Sequence, residues 1–395
     1  MRRRTIRLPV AAFLAGLALL VFLVAGLRDP ATPEPTAAPP LALESVLGDP
    51  DTRGYARARE VRLFGFPEDH GPHPDFRSEW WYFTGNLEDA EGRRFGYQWT
   101  VFRFALRPEA GARASAWAAR QVYMGHFTVT DVAGGRFHAF ERLTREALGL
   151  AGARAAPFRV WIEDWSVEAG DPPGNWRLQA TEPAVAIDLE LTPAKPVVLQ
   201  GDRGLSRKSA TSGNASYYYS VPRFATRGTL KLDGKVFEVH GSSWLDREWS
   251  TSALDADQAG WDWFGMQLVD GTELMFYRLR RRDGRVDPHS GGSYVDAEGK
   301  SRPLTTEDVD ITVLETWDSP RGGRYPARWR LQVVPLALDL EVRPLLADQE
   351  LDLSVRYWEG AVQINGSRAG QPVSGYGYAE LTGYTAVPGG TAAGP

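Results

Sequence analysis

Trp176-Arg177-Leu178-Gln179, followed by Asp188-Leu189-Glu190, recurs as Trp329-Arg330-Leu331-Gln332, followed by Asp339-Leu340-Glu341, with a slightly shorter turn between the halves. Working outward, the match extends on both sides in the same order. Upstream, Trp80-Trp81-Tyr82-Phe83 with Leu87 answers Trp261-Asp262-Trp263-Phe264 with Leu268. Downstream, Gly228-Thr229-Leu230-Lys231-Leu232-Asp233-Gly234 answers Gly360-Ala361-Val362-Gln363-Ile364-Asn365-Gly366, and Gly241, Trp244 and Asp246 answer Gly375, Tyr378 and Glu380. A fixed order of echoes is the mark of a duplicated unit. The polar stretch Asp255 to Gly260 places the seam between about Trp249 and Trp261.

Each unit reads as β. Apolar alternation is cut by Asp-Gly, Asn-Gly and Gly-Gly pairs, and no helical period persists. Asp233-Gly234 accepts the positive φ of a type I′ turn and predicts a hairpin, and Asp270-Gly271 and Asn365-Gly366 read the same way. A duplicated sheet that must remove its edges closes most simply into a barrel, and about eight strands leave room for one ligand. The expected fold class is therefore all-β, two tandem β-barrels over residues 55–250 and 251–388, with a two-domain β-sandwich as competitor.

Ahead of them stand Arg2, Arg3, Arg4 and Arg7, then an uncharged stretch from Leu8 to Leu27, long enough at about 1.5 Å per residue to cross a bilayer. The charge bias puts the body outside the cytoplasm. Residues 1–28 read as a membrane anchor or signal peptide and the Pro-rich residues 29–54 as a linker, so the expected location is the periplasm, anchored to the inner membrane or released after cleavage. A net charge of −5 without blocks of like charge gives nucleic acid no footing, and the absence of cysteine removes disulfides, thiolate metal sites and cysteine nucleophiles. Neither a phosphate-cradling loop nor a serine-hydrolase elbow nor a dinucleotide fingerprint occurs. His70 and His73 have no partner at ligand spacing, and no metal or cofactor is expected.

Five segments carry a resemblance: Ser78-Glu79-Trp80-Trp81-Tyr82-Phe83-Thr84-Gly85-Asn86-Leu87, Ser216-Tyr217-Tyr218-Tyr219-Ser220, Trp244-Leu245-Asp246-Arg247-Glu248-Trp249, Trp261-Asp262-Trp263-Phe264 and Tyr357-Trp358-Glu359-Gly360. Over roughly residues 60–385 the chain resembles the carotenoid 1,2-hydratase and AttH-type family of lipocalin-like proteins. The resemblance implies two calycin barrels side by side with a site in the cleft or lumen near their junction. It also implies divergent activities: hydration of an isoprenoid alkene, ring closure, or service to an ABC transporter. Where the hydratase branch carries a histidine within the short motif around Asp246, this chain has Arg247.

His240, Ser242, Trp244, Asp246 and Glu248 share one strand parity, and Leu245, Arg247 and Trp249 the other. Carboxyls beside tryptophan suit protonation of an alkene and support of the resulting cation. Candidate catalytic residues are thus Asp246, Glu248, His240 and, in the first-barrel motif, Glu79. The structural alternative is an ion pair from Arg247 to Asp246 or Glu248 that pins the barrels together. Candidate ligand contacts are Trp81, Tyr82, His126, Tyr218, Tyr219, Trp244, Trp249, Trp261 and Asp262. The expected function is binding of a small hydrophobic, lipid- or isoprenoid-like molecule, in the service of an ABC transporter permease, with acid-catalysed hydration, elimination or isomerisation of an isoprenoid- or polyketide-like substrate as the alternative.

Overall fold

A computed structural model describes residues 41–42, 52–108, 119–251 and 254–385. Both the apolar stretch Leu8–Leu27 and most of the linker lie outside these residues. Among the described residues no helix is long and apolar enough to cross a membrane.

The described chain is built from β-strands and three 3-10 turns. The first sheet contains β2 (Ser78–Glu88), β3 (Arg94–Ala105), β4 (Gln121–Asp131), β5 (Arg136–Arg145), β6 (Ala151–Arg154), β7 (Arg159–Ile162), β8 (Trp165–Ala169), β9 (Trp176–Thr181), β10 (Val185–Pro193), β13 (Ala215–Leu232) and β14 (Lys235–Ser250), with β11 (Val198–Leu199) and β12 (Leu205–Arg207) on the flank of β13. Its order is β5-β4-β3-β2-β14-β13-β10-β9-β8-β7-β6. The second sheet contains β15 (Gln258–Leu268), β16 (Glu273–Arg281), β17 (Gly291–Val295), β18 (Ser301–Thr305), β19 (Val309–Asp318), β20 (Arg324–Val333), β21 (Leu338–Pro344), β23 (Val355–Arg368) and β24 (Gln371–Leu381). Its order is β18-β17-β16-β15-β24-β23-β21-β20-β19, and β22 (Glu350–Asp352) and β1 (Leu41–Ala42) both pair with β23.

The two orders correspond. In each sheet the strand bearing the Trp-Trp or Trp-Asp-Trp motif pairs with the strand bearing Asp246 or Glu380, which in turn forms a hairpin with its predecessor. Arg177 reaches Asp188 at 2.5 Å, and the duplicated Arg330 reaches Asp339 at the same distance. Asp233-Gly234 forms the expected hairpin turn, with φ of 49° and 83°, and Asp270-Gly271 also joins paired strands. Asn365-Gly366 does not. It lies inside β23, and the turn falls at Ala369-Gly370. Glycine is needed there for a different reason: a Cβ on Gly366 would come 2.1 Å from the carbonyl oxygen of Asp339, just as a Cβ on Gly228 would come 2.1 Å from that of Asp188. Gly228 is therefore equivalent to Gly366, not to Gly360, and the downstream sequence match corrects by six positions.

Strand parity fills the first barrel with aromatics. Trp81, Trp99, Trp165 and Trp249 are each at most 1% exposed and pack with Phe83, Phe127 and Phe224; each large apolar side chain so buried contributes roughly 1.5–3 kcal/mol. The 3-10 turn Glu68–His70 stops one end, with the His70 ring among Phe66, Phe158, Trp176 and Tyr219. Trp329, Phe264, Met266 and Ile364 fill the second. Side chains pack the barrel interiors where ligand space was expected, and a cavity lies between the sheets.

Candidate functional site

The outward parity of β2 and β14 faces that of β15, β16 and β24, and between them lies a cavity of about 90 Å³. Trp80, Tyr82, Tyr218, Trp261, Trp263 and Tyr277 supply aromatic walls, while Asp246, Glu248, Glu380 and Lys208 supply charge or protons. Asp246 and Glu380 occupy equivalent positions of the duplication: Asp246 stands opposite Tyr82 in the strand register, and Glu380 stands opposite Trp263. Each barrel thus contributes one member of an equivalent pair of acids to a shared space.

Neither acid has a cationic partner in the hydrogen-bond or ion-pair contacts of the described residues. Asp246 accepts hydrogen bonds from the Tyr218 hydroxyl, from Ser220 Oγ at 2.5 Å and from Trp244 Nε1 at 2.7 Å. Burial pushes its carboxyl up to about 7, against these donors and with help from Glu248. Glu380 accepts from Trp261 Nε1 and shares a hydrogen bond with Glu359, the residue opposite it on β23. Burial lifts it to about 7 as well, and the charges of Asp246 and Glu248 add to the lift. Burial and then the neighbouring Glu380 charge hold Glu359 far above the ordinary carboxyl range, so Glu359 carries the proton of that pair, while its Oε1 accepts from the Tyr82 hydroxyl at 2.7 Å. Glu248 instead meets Lys208 at 3.0 Å, and the ammonium lies over the Tyr277 and Tyr218 rings at 4.5 and 5.3 Å.

The remaining sequence candidates are distributed elsewhere. Tyr82, Tyr218, Glu248 and Trp261 line the cavity, and Trp244 touches it through Asp246. His240 lies on the exposed part of β14, 3.6 Å from Glu88, because the strand outruns the junction. Trp81, Tyr219 and Trp249 turn into the first barrel. Arg247 turns the same way, so the expected ion pair to Asp246 or Glu248 does not form. Its guanidinium pairs with Glu79 and lies 4.0 Å above the Trp81 ring. Burial alone would raise Glu79, but Arg103 and Arg247 hold it ionised far below the usual range, which unfits it as a proton donor. The loop before β2 also brings partners to His73 that spacing did not foretell: Nε2 lies 3.0 Å from Asp69, Nδ1 lies 3.4 Å from Glu79, and the ring stacks on Trp249 at 3.7 Å. Asp262 faces into the second barrel, where Arg278 and Arg280 overcome the effect of its burial and keep it ionised. His126 is buried at the contact between barrels, outside the cavity lining. Glu380 and Glu359 were visible only as a duplicate of Asp246 and as part of the Tyr357-Trp358-Glu359-Gly360 motif; Lys208 had no sequence signal.

Comparison with known proteins bears on this arrangement. Residues 57–384 match the AttH-like family. The crystal structure of an AttH protein from Nitrosomonas europaea is similar at 36% identity and a TM-score of 0.74, covering 84% of this chain and all of that one. The kievitone hydratase structure from Nectria haematococca shares the fold at 15% identity and a TM-score of 0.63, covering 87% of this chain and 98% of that one. In sequence, the kievitone hydratase of Fusarium solani subsp. phaseoli is 20% identical over 244 residues, 59% of this chain and 68% of that protein.

Proposed function

We propose an acid–base hydro-lyase activity for this chain, which belongs to the AttH-like family: addition of water to, or its removal from, a carbon–carbon double bond of an apolar, isoprenoid- or polyketide-like substrate. The observation that carries the reading is the pair Asp246 and Glu380, equivalent residues of two barrels, both poised near neutrality in one aromatic cavity. Kinship with proteins named kievitone hydratase supports the same class.

Roles follow from the donors. Asp246 and Glu380 both accept hydrogen bonds that favour the anion; Asp246, with three such donors, is assigned the base, and Glu380 the acid, because the proton of Glu359 stabilises the carboxylate left once Glu380 has given up its own. Glu380 gives its proton to one alkene carbon, leaving a cation on the other, which the faces of Trp80, Trp261 and Trp263 steady. Water bonds to that carbon and loses a proton to Asp246. Passage of a proton from Asp246 back to Glu380 restores the site, and the net change is one water added. Arg247, where the hydratase branch has histidine, faces away from this chemistry.

The test is a panel of isoprenoid alkenes incubated in H₂¹⁸O, with product masses read for wild type, Asp246→Asn and Glu380→Gln. Loss of general acid–base catalysis should lower turnover by about 10²–10⁴-fold in each variant. Because the two acids titrate as a pair, kcat/KM should describe a bell with its maximum near pH 7. Saturable binding of a polyene by wild type and both variants, with no ¹⁸O incorporated into any substrate, would instead favour a carrier that delivers a hydrophobic molecule to a membrane transporter.

A further inference from the structure

Between the apolar clusters around Tyr82 and Trp263 and around Phe102 and Leu351, the contact between the barrels carries buried polar side chains. Three outward rows of the first sheet, set by register, are Tyr82, Thr100 and His126; Thr84, Gln98 and Thr128; and Asn86, Gly96 and Thr130. All the polar members are buried. Gly96 lets the sheets close, since a Cβ there would come 2.6 Å from that of Ala361. Bonds across the contact are Asn86 Nδ2 to the Gly377 carbonyl at 3.0 Å, Thr130 Oγ1 to Gln349 Oε1 at 2.7 Å and Gln98 Nε2 to the Tyr357 hydroxyl at 2.9 Å. Two buried amide oxygens, Gln98 Oε1 and Asn86 Oδ1, have no hydrogen-bond partner among the described residues. A buried polar atom left so is costly, and ordered internal water is the usual remedy.

We infer that this seam is the water and proton inlet of the site, running from His126 and Glu141 at the edge to the back of the Glu359–Glu380 pair. At the outer end Glu141 is partly exposed. Its Oε2 lies 3.2 Å from His126 Nε2, which fixes the neutral ring as the Nε2–H form, and His126 Nδ1 then accepts from the Tyr357 hydroxyl at 2.8 Å. The other neighbours of His126 are the Phe102 ring and, behind Glu141, the Ser354 hydroxyl. Inward, Gln98 donates to Tyr357 and shares its amide nitrogen with Thr100, which is opposite Tyr82; Tyr82 donates to Glu359. The inlet places ordered water at Gln98 Oε1, between the Thr100 side of the seam and Tyr82, the residue paired with Thr100 across the strands.

The inference rests on the hydratase reading, which explains why such an inlet is needed. Each turnover consumes one water and leaves Glu380 one proton short and Asp246 one proton over, a difference that exchange with solvent makes good, yet an apolar substrate in an aromatic cavity excludes water from the substrate's side. A polar passage behind the acid supplies both without passing the substrate.

The experiment uses the wild-type chain and Gln98→Met/Thr128→Val, which makes the seam apolar at similar volume and leaves the cavity lining intact. Water relaxation dispersion (¹⁷O and ²H) should detect long-lived internal waters in wild type and fewer in the double variant; a wild type without them, or an unchanged count, overturns the inlet. With the alkene identified above, kcat should fall at least tenfold and KM should stay, at equal or higher Tm. His126→Gln keeps a donor and an acceptor but carries no proton, so it should enlarge the solvent deuterium isotope effect on kcat. Unchanged kcat and isotope effect in both variants, while Asp246→Asn and Glu380→Gln abolish turnover, would sink the inlet and leave the hydratase standing. If no alkene is hydrated, the relaxation measurement alone decides whether the seam holds water.

Discussion

Asp246 and Arg247 are neighbours in sequence and look in opposite directions. On the barrel side of β14, Arg247 and Arg103 grip Glu79 among tryptophans, and the carboxylate stays charged because its face carries two guanidinium groups. On the junction side, Asp246 is as deeply buried among tryptophans and tyrosines but meets only hydroxyl and indole donors, and its proton becomes labile near neutrality. Burial is common to both acids, so the partner decides. A buried carboxylate with a cation behaves as a rivet, and one with neutral donors behaves as a titrant.

The sharpest way to break this contrast is to remove the cation from one side and the charge from the other. Arg247→Met strands Glu79 with a single arginine and should lower unfolding stability by about 3–5 kcal/mol in denaturant titration. Asp246→Asn should leave the folded state at least as stable as wild type. Equal losses in the two variants would mean that Asp246 is also a structural ion.

A smaller effect separates the faces by pH. The folded-state values of Asp246 and Glu380 are raised from 3.8 and 4.5 to about 7, so the native state binds more protons than the unfolded chain between those limits. Their contribution is fully present below about pH 4 and is lost as pH rises through 7, so they make stability decline over that interval. Glu79 acts in the other sense: its stabilisation is present above its unfolded value and fades as pH falls below it. Glu380→Gln should therefore flatten the decline between pH 5 and 8 and raise stability at pH 8 by roughly 1–2 kcal/mol, less than the full shift because the pair is coupled. Thermal melts across that range give the slope, and a slope unaltered by the substitution would place the Glu380 value back in the ordinary range.

The smallest change concerns the indoles. Trp261→Phe removes the N–H that favours ionised Glu380 and Trp244→Phe the one that favours ionised Asp246. Each should move the matching limb of the pH–rate bell upward, by less than about one unit for a single neutral hydrogen bond worth about 1 kcal/mol. A downward move would show that the indole serves the protonated form.

What could be read beforehand follows the same division. The duplication, the all-β character and the parity of Asp246 against Arg247 were legible, because a strand alternates faces whatever it packs on. Which partner each face would meet was not. Glu79 and Arg247 lie 168 positions apart and meet only through the pairing of β2 with β14. Glu380 was present as the echo of Asp246 and the resemblance implied a site near the junction, but nothing in strand parity alone brings the two echoes into one cavity. His240 failed because parity says which side a residue takes and nothing about how far along the strand the junction extends. Asn365-Gly366 failed because glycine serves close backbone approach as well as turns.

The equivalence of Asp246 and Glu380 has a consequence for how such a site can arise. Contact between the same patch on two copies of a fold brings a residue close to the two-fold axis near its own counterpart, as in an isologous dimer. Two identical barrels meeting in this way would present two identical acids, held by symmetry in identical surroundings and unable to take different parts in one reaction. Joining the copies in a single chain lifts that restriction. One acid is then free to gather Ser220 and Tyr218, the other Glu359, and the division of labour between proton donor and proton acceptor becomes something that substitutions in either half can adjust independently.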